Sequence, residues 1–167
     1  MSTALPDAWT GSHGWCARRP VAAPIARAFE EGAESVTAWS DPPYTIATAI
    51  ADPSQGYEDD GTLTLRVVRE TEGVALTVTD ETTRSAIRRL AELEGVFAEP
   101  SGAVPVAALA SLRTRGVIEP GSRVVCLITG HGLKDPMAAE HDVDMPLIEP
   151  VAEQLFDVLG TQTRTLE

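Results

Sequence analysis

Late in the chain, Thr129-Gly130-His131-Gly132 runs directly into Leu133-Lys134-Asp135-Pro136 and follows the apolar segment Arg123 to Ile128. A hydroxyl, two glycines, an imidazole, an amine and a carboxylate fall within one turn. The glycines let a ligand approach the backbone, and the polar groups can meet it there. The apolar segment predicts a strand buried on both faces of a parallel sheet, and open α/β sheets bind ligands at the carboxyl ends of such strands. Two glycines after a strand also serve as an ordinary tight connection. Neither the dinucleotide fingerprint nor the P-loop spacing accompanies them. Thr129 taken alone equally fits a strand-end hydroxyl bonded to backbone.

A second segment repeats the design. Gly95-Val96-Phe97-Ala98-Glu99-Pro100-Ser101-Gly102-Ala103 ends a predicted strand and places small residues at a helix N-terminus, so two strand ends can face one cleft. A carboxylate is favourable near a helix N-terminus with or without a ligand, which leaves Glu99 open as a cleft acid, a cap or a solvated group. Lys134 is the only lysine. Cys126 lies on the predicted strand, where a small buried thiol is the default, so a Cys126–His131 nucleophile pair has little support. Glu140-His141-Asp142-Val143-Asp144 has metal-binding residue types without the helical His spacing of a metal site, and reads as a solvated acidic loop.

The elements that must position these residues follow from periodicity and punctuation. Residues 1–22 hold two Trp among Gly and Pro with no period, and are expected to be irregular. Pro24 opens a short helix ending at Gly32, then Glu34 to Ala38 reads as a brief strand. Tyr44 to Ala51 is small and apolar enough for a buried helix, and Tyr57 to Gly61 reads as an acidic loop. Thr62 to Thr71 fits both periods, with propensity favouring a strand. Gly73 to Thr79 is a clearer strand, and Asp80 is expected to cap a helix that Gly95 stops. Val96 to Ala98 is a short strand, Ser101 opens a helix running to Gly116, and residues 149 to 159 form a last helix. Strand and helix alternate, which predicts an α/β fold with a mostly parallel sheet and flanking helices.

Composition narrows the partners. Asp and Glu number 25 against 13 basic residues, a formal charge of -12, and this field repels nucleic acid and anionic lipid. An acid-rich, nearly lysine-free surface is what adaptation to high salt produces, and a moderately acidic cytosolic enzyme is the alternative. No apolar run is long enough to span a bilayer. Arg18-Arg19 is followed by no sustained apolar segment or cleavage site, which argues against a signal peptide. Two cysteines, so differently placed, fit a reducing cytoplasm rather than a disulfide framework.

The order and approximate spacing of Glu94-Gly95-Val96-Phe97-Ala98-Glu99-Pro100-Ser101-Gly102-Ala103, a helix, and Val124-Val125-Cys126-Leu127-Ile128-Thr129-Gly130-His131-Gly132-Leu133-Lys134-Asp135-Pro136 resemble those of threonine synthases. Ala23 to Gly32 and Thr45 to Ile50 look like that family's segments, in the same order. The resemblance covers about Pro24 to Gly160. It implies part of the fold shared with tryptophan synthase β chains and serine/threonine dehydratases, and the cofactor pyridoxal phosphate. The Glu-Pro-Ser-Gly-Ala stretch fits several members of that group, including the dehydratases; the turn at Thr129 favours threonine synthase, a lyase of threonine biosynthesis.

By the same resemblance Thr129 contacts the pyridine nitrogen of the cofactor, and Glu99, Ser101, Gly102 and Gly130 line the cofactor cleft. The family's Schiff-base lysine and phosphate-cradling glycine loop lie upstream of this region and have no equivalent here. Lys134 therefore belongs to the turn, expected in an ion pair with an acid such as Asp135. The family reaction converts O-phosphohomoserine and water to threonine and phosphate. The chain is expected to be a C-terminal portion, with residues 23–167 forming the cofactor-domain part, no catalytic residue of its own, and no activity alone. It departs from the family after Ile50, where only Ala51-Asp52-Pro53 follows, and in its first twenty residues, which match nothing in the family; a truncated or frame-shifted gene is the simplest origin. Two rival expectations are complementation by a separately encoded N-terminal half, and a non-catalytic module binding an amino acid or phospho-amino acid.

Overall fold

The hydrophobic pattern of the chain closes around one short strand. Val74–Leu76 (β2) is buried on both faces. Ala75 packs with Ala23 and Ala26, while Leu76 and Val78 pack with Val104, Ala108 and Leu112. In this computed structural model, which describes residues 14–16, 23–41, 44–136 and 147–159, β2 pairs in parallel with Gly14–Cys16 (β1), in the register Gly14↔Val74, Trp15↔Ala75 and Cys16↔Leu76. The helix Pro24–Glu30 (α1) covers one face and Pro100–Thr114 (α4) the other. The fold is thus α/β with parallel pairing and flanking helices, although the paired strands are short. β1 lies inside the segment expected to be irregular; the rest of residues 1–22, and the acidic run 140–144, lie outside the described residues.

Glu58–Glu70 (α2) corrects both the expected acidic loop and the strand after it. Its buried residues Gly61, Leu65 and Val68 recur at helical spacing, whereas Leu63 and Val67 of the alternating set face outward. Glu58, Asp59 and Asp60 fall in the first turn, where the helix dipole favours negative charge. A Cβ on Gly61 would lie 3.1 Å from Val36 Cγ1, so the glycine is what lets this helix approach residues 33–37. The strand expected at Glu34 to Ala38 does not form. The Val36 N–H donates to Thr62 Oγ1 at 2.9 Å instead of to a ladder, and the Arg69 guanidinium donates to the carbonyls of Ala28 and Ala33.

Asp80–Glu94 (α3) is capped by Thr79, one residue earlier than expected. Thr79 Oγ1 accepts from the Thr82 N–H and Thr82 Oγ1 accepts from the Thr79 N–H, both at 3.1 Å, which satisfies two otherwise orphaned donors. With the cap made by Thr79, the Asp80 carboxylate accepts from the Thr45 hydroxyl and the Ile46 N–H. That contact explains why Tyr44 to Ala51 is not a helix: the Ile46 and Ala47 N–H groups are taken by side chains, and only a 3₁₀ turn at Thr48–Ile50 remains. Gly95, at φ 66°, ends α3 in the left-handed region as expected.

The largest departure is at Arg123 to Ile128, which joins no strand ladder among the described residues. Val124, Val125 and Leu127 are exposed. A Val- and Leu-rich run becomes a strand only where a neighbour takes its N–H and C=O groups, and here the pairing reduces to one antiparallel bridge, Ala98↔His131, beyond its end. The strand expected at Val96 to Ala98 shrinks to that same bridge. A last helix, Ala152–Leu159 (α5), falls where expected. Among the described residues no helix is long and apolar enough to cross a membrane. Replacing Thr79 with Ala removes the reciprocal cap of α3, and chemical denaturation should register a loss of about 1 kcal/mol; an unchanged midpoint would show that the cap is dispensable.

Candidate functional site

The two segments expected to face one cleft as strand ends meet instead through a single bridge. The Glu99 N–H donates to the Gly130 carbonyl at 3.0 Å and the Gly132 N–H donates to the Phe97 carbonyl at 2.8 Å. These two bonds flank the Ala98↔His131 bridge and lay the 129–134 turn along the residues that lead into α4. Pro100 at the first helical position fixes that entry, since its missing N–H would be unpaired there anyway.

Close approach requires glycine at three places. A Cβ on Gly102 would sit 3.2 Å from both the Thr129 and Gly130 nitrogens, so the first turn of α4 rests almost on the turn's backbone. A Cβ on Gly132 would enter the Phe97 ring. A Cβ on Gly130 would fall on Glu99 Oε1, which means that the Glu99 carboxylate occupies the space a side chain would need.

Glu99 is 8% exposed, yet its carboxylate makes no capping bond to α4. It pairs instead with Lys134, Oε2 to Nζ at 2.7 Å. The ion pair expected of Lys134 therefore exists, with Glu99 rather than Asp135 as its partner; adjacency in sequence suggested Asp135, and only the fold brings residue 99 within reach. The Lys134 side chain is 63% exposed and the Glu99 side chain 10%. The ammonium is solvated from one side while the carboxylate depends on it.

Thr129 is exposed and its hydroxyl makes no hydrogen bond, to backbone or side chain, among the described residues. Ser101 Oγ accepts from the Ala49 N–H at 3.2 Å, which ties the 3₁₀ turn to α4. His131 Nδ1 accepts from the Leu133 N–H at 3.1 Å and its ring meets Phe97 edge-on at 5.7 Å; both contacts make it part of the turn's frame. Burial pushes the Cys126 thiol above its ordinary pKa, favouring the neutral thiol over the nucleophilic thiolate. Thr129, Gly130, Glu99 and Gly102 thus converge on one patch, and Ser101 sits at its rim facing Ala49. Sequence reasoning missed Phe97, the ring against which Gly132 and His131 pack; its place immediately before Ala98 was the available signal.

Replacing Gly130 with Ala forces the Glu99 carboxylate aside and should cost about 1–3 kcal/mol in urea unfolding. In that background Glu99→Ala should recover part of the loss. Additive losses would show that the two residues do not share that space.

The family described as pyridoxal-phosphate dependent enzyme matches residues 10–130. That match begins well before Pro24, within the segment that resembled nothing, and ends at the Gly130 of the turn. A threonine synthase of Halalkalibacterium halodurans is 38% identical over 152 residues, covering 89% of this chain and 42% of that protein. One of Methanosarcina acetivorans is 39% identical over 138 residues, covering 80% of this chain and 33% of that protein. The chain spans less than half the length of these relatives. A solved structure of a threonine deaminase from T.th. overlays 61% of this chain and 34% of that one, at 27% identity and a TM-score of 0.49.

Proposed function

The chain belongs to the pyridoxal-phosphate dependent enzyme family, and on that premise we propose that it carries the ring-facing part of a threonine synthase cofactor cleft without carrying the covalent attachment point. The observation that supports this most directly is the exposed Thr129 hydroxyl, without a hydrogen bond among the described residues, beside Gly130 and Gly102. A ligand can reach Thr129 because it is exposed, while the two neighbouring glycines let Glu99 and the first turn of α4 close against the turn that carries it.

The residues present fit one end of the cofactor. The Thr129 hydroxyl can donate to or accept from a pyridine nitrogen, and as a neutral group it leaves the ring a moderate electron sink. Pyridoxal phosphate, when bound, supplies stabilisation of a carbanion on an amino-acid substrate. Gly130 makes room for the Glu99 carboxylate, Gly102 lets α4 approach the turn, and Ser101 ties the 3₁₀ turn to α4. The other end is not served by Lys134. Its Nζ is already engaged by the Glu99 carboxylate at 2.7 Å, which ties it to the turn.

The substrate class that goes with this reading is a phospho-amino acid, O-phosphohomoserine, yielding threonine and phosphate. The lysine and the phosphate-binding loop would come from residues outside these 167. The purified 167-residue chain is then a non-covalent cofactor binder that does not turn over O-phosphohomoserine. Thr129→Val keeps the side-chain shape and removes the hydroxyl. Titration followed by cofactor absorbance should show the dissociation constant for pyridoxal phosphate rising roughly tenfold, the worth of one hydrogen bond. An affinity unchanged by the substitution would contradict the assignment of Thr129, and turnover by the chain alone would contradict the missing attachment point.

A further inference from the structure

Glu99 and Thr129 flank the same peptide group. The carboxylate lies over Gly130, the residue after Thr129, and is nearly buried, with Lys134 paired to it at 2.7 Å. An anion so placed, one residue from Thr129, acts on anything brought to the Thr129 hydroxyl. We propose that Lys134 is a positioning and charge-balancing residue: it holds Glu99 over Gly130 and cancels its charge, so that a ring atom meeting Thr129 meets a neutral hydroxyl rather than an anion.

This inference rests on the reading of Thr129 as the ring-nitrogen contact. A nearby uncancelled carboxylate favours a protonated, cationic ring nitrogen, and a ring so protonated withdraws electrons more strongly than a hydroxyl partner alone would set. The ionisable groups on or against the turn are Glu99, which precedes α4, and His131, Lys134 and Asp135 on the turn itself. His131 is engaged through Nδ1 by the Leu133 N–H. Lys134 is the cation that pairs with Glu99 among the described residues. It is therefore the residue whose loss changes the charge beside Thr129 without altering Thr129 itself.

The test compares the wild-type chain with Lys134→Met, Glu99→Gln and the double variant, each saturated with pyridoxal phosphate labelled with nitrogen-15 in the ring. The ring-nitrogen signal is followed by NMR against pH. Lys134→Met should raise the titration midpoint by about one pH unit, and the double variant should return it to the wild-type value. A midpoint unmoved by Lys134→Met, or a double variant that stays shifted, would overturn the proposal; a merely structural role would leave the double variant no better than the single. Thermal unfolding of the same four proteins without cofactor decides the pairing independently. Lys134→Met should lower the midpoint more than the double variant does, since only the single variant strands a buried carboxylate, and additive losses would overturn it. If none of the four binds cofactor, the reading of Thr129 fails while the unfolding comparison still decides the charge balance.

Discussion

The arrangement of the site depends on one carboxylate lying where a side chain would otherwise be. Glu99 covers the Cα of Gly130, and Lys134 holds it there from four residues further along the same turn. Three constraints meet at this point. The backbone bond from Glu99 to Gly130 sets the distance between the two segments, glycine at 130 makes room for the carboxylate, and glycine at 102 brings α4 down onto the same peptide. Relaxing any of them separates residues 97–99 from the turn. A mostly exposed ion pair is ordinarily worth little. This one matters because its carboxylate is almost buried and would be left unpaired there without the lysine.

The rest of the fold serves to hold these two segments in register. β2 is the shared wall: Leu76 and Val78 seat α4 from below, and α3, packed along α4 through Ala86, Ile87 and Ala103, delivers the chain to Phe97 and Glu99. Asp80 and Ser101 fasten residues 45–50 to α3 and α4, so the 3₁₀ turn stays near the rim of the site. The core is built from Ala, Val and Leu with few rings, and small side chains permit the close helix-on-strand contacts that the glycines then exploit.

What could be read from the sequence follows the range of the forces involved. Local signals were legible: Pro24 at a helix start, a helix expected from Ser101 that begins one residue earlier at Pro100, Gly95 in the left-handed region at a helix end, and the Gly-rich turn at Thr129. Pairwise signals were less so. Thr62 to Thr71 satisfies both periods, and the choice fell to the face that could bury Val68 and pack Leu65 against Ala28 and Val36, a tertiary matter. Arg123 to Ile128 has the composition of a buried strand, but composition does not supply the neighbouring strand that would complete it. The partner of Lys134 was out of reach for the same reason, because nothing in the spacing of residues 99 and 134 indicates that they touch.

These features together separate two roles that the chain's single lysine could have had. On the proposed reading, Lys134, held by Glu99 and open to solvent, maintains the site rather than reacting in it, and the Thr129 turn would offer the cofactor ring a neutral, non-covalent contact. Borohydride reduction of the chain saturated with one equivalent of pyridoxal phosphate, followed by intact mass and peptide mapping, tests this directly. The account predicts a chain of unmodified mass; a pyridoxyl adduct mapped to Lys134 would contradict it.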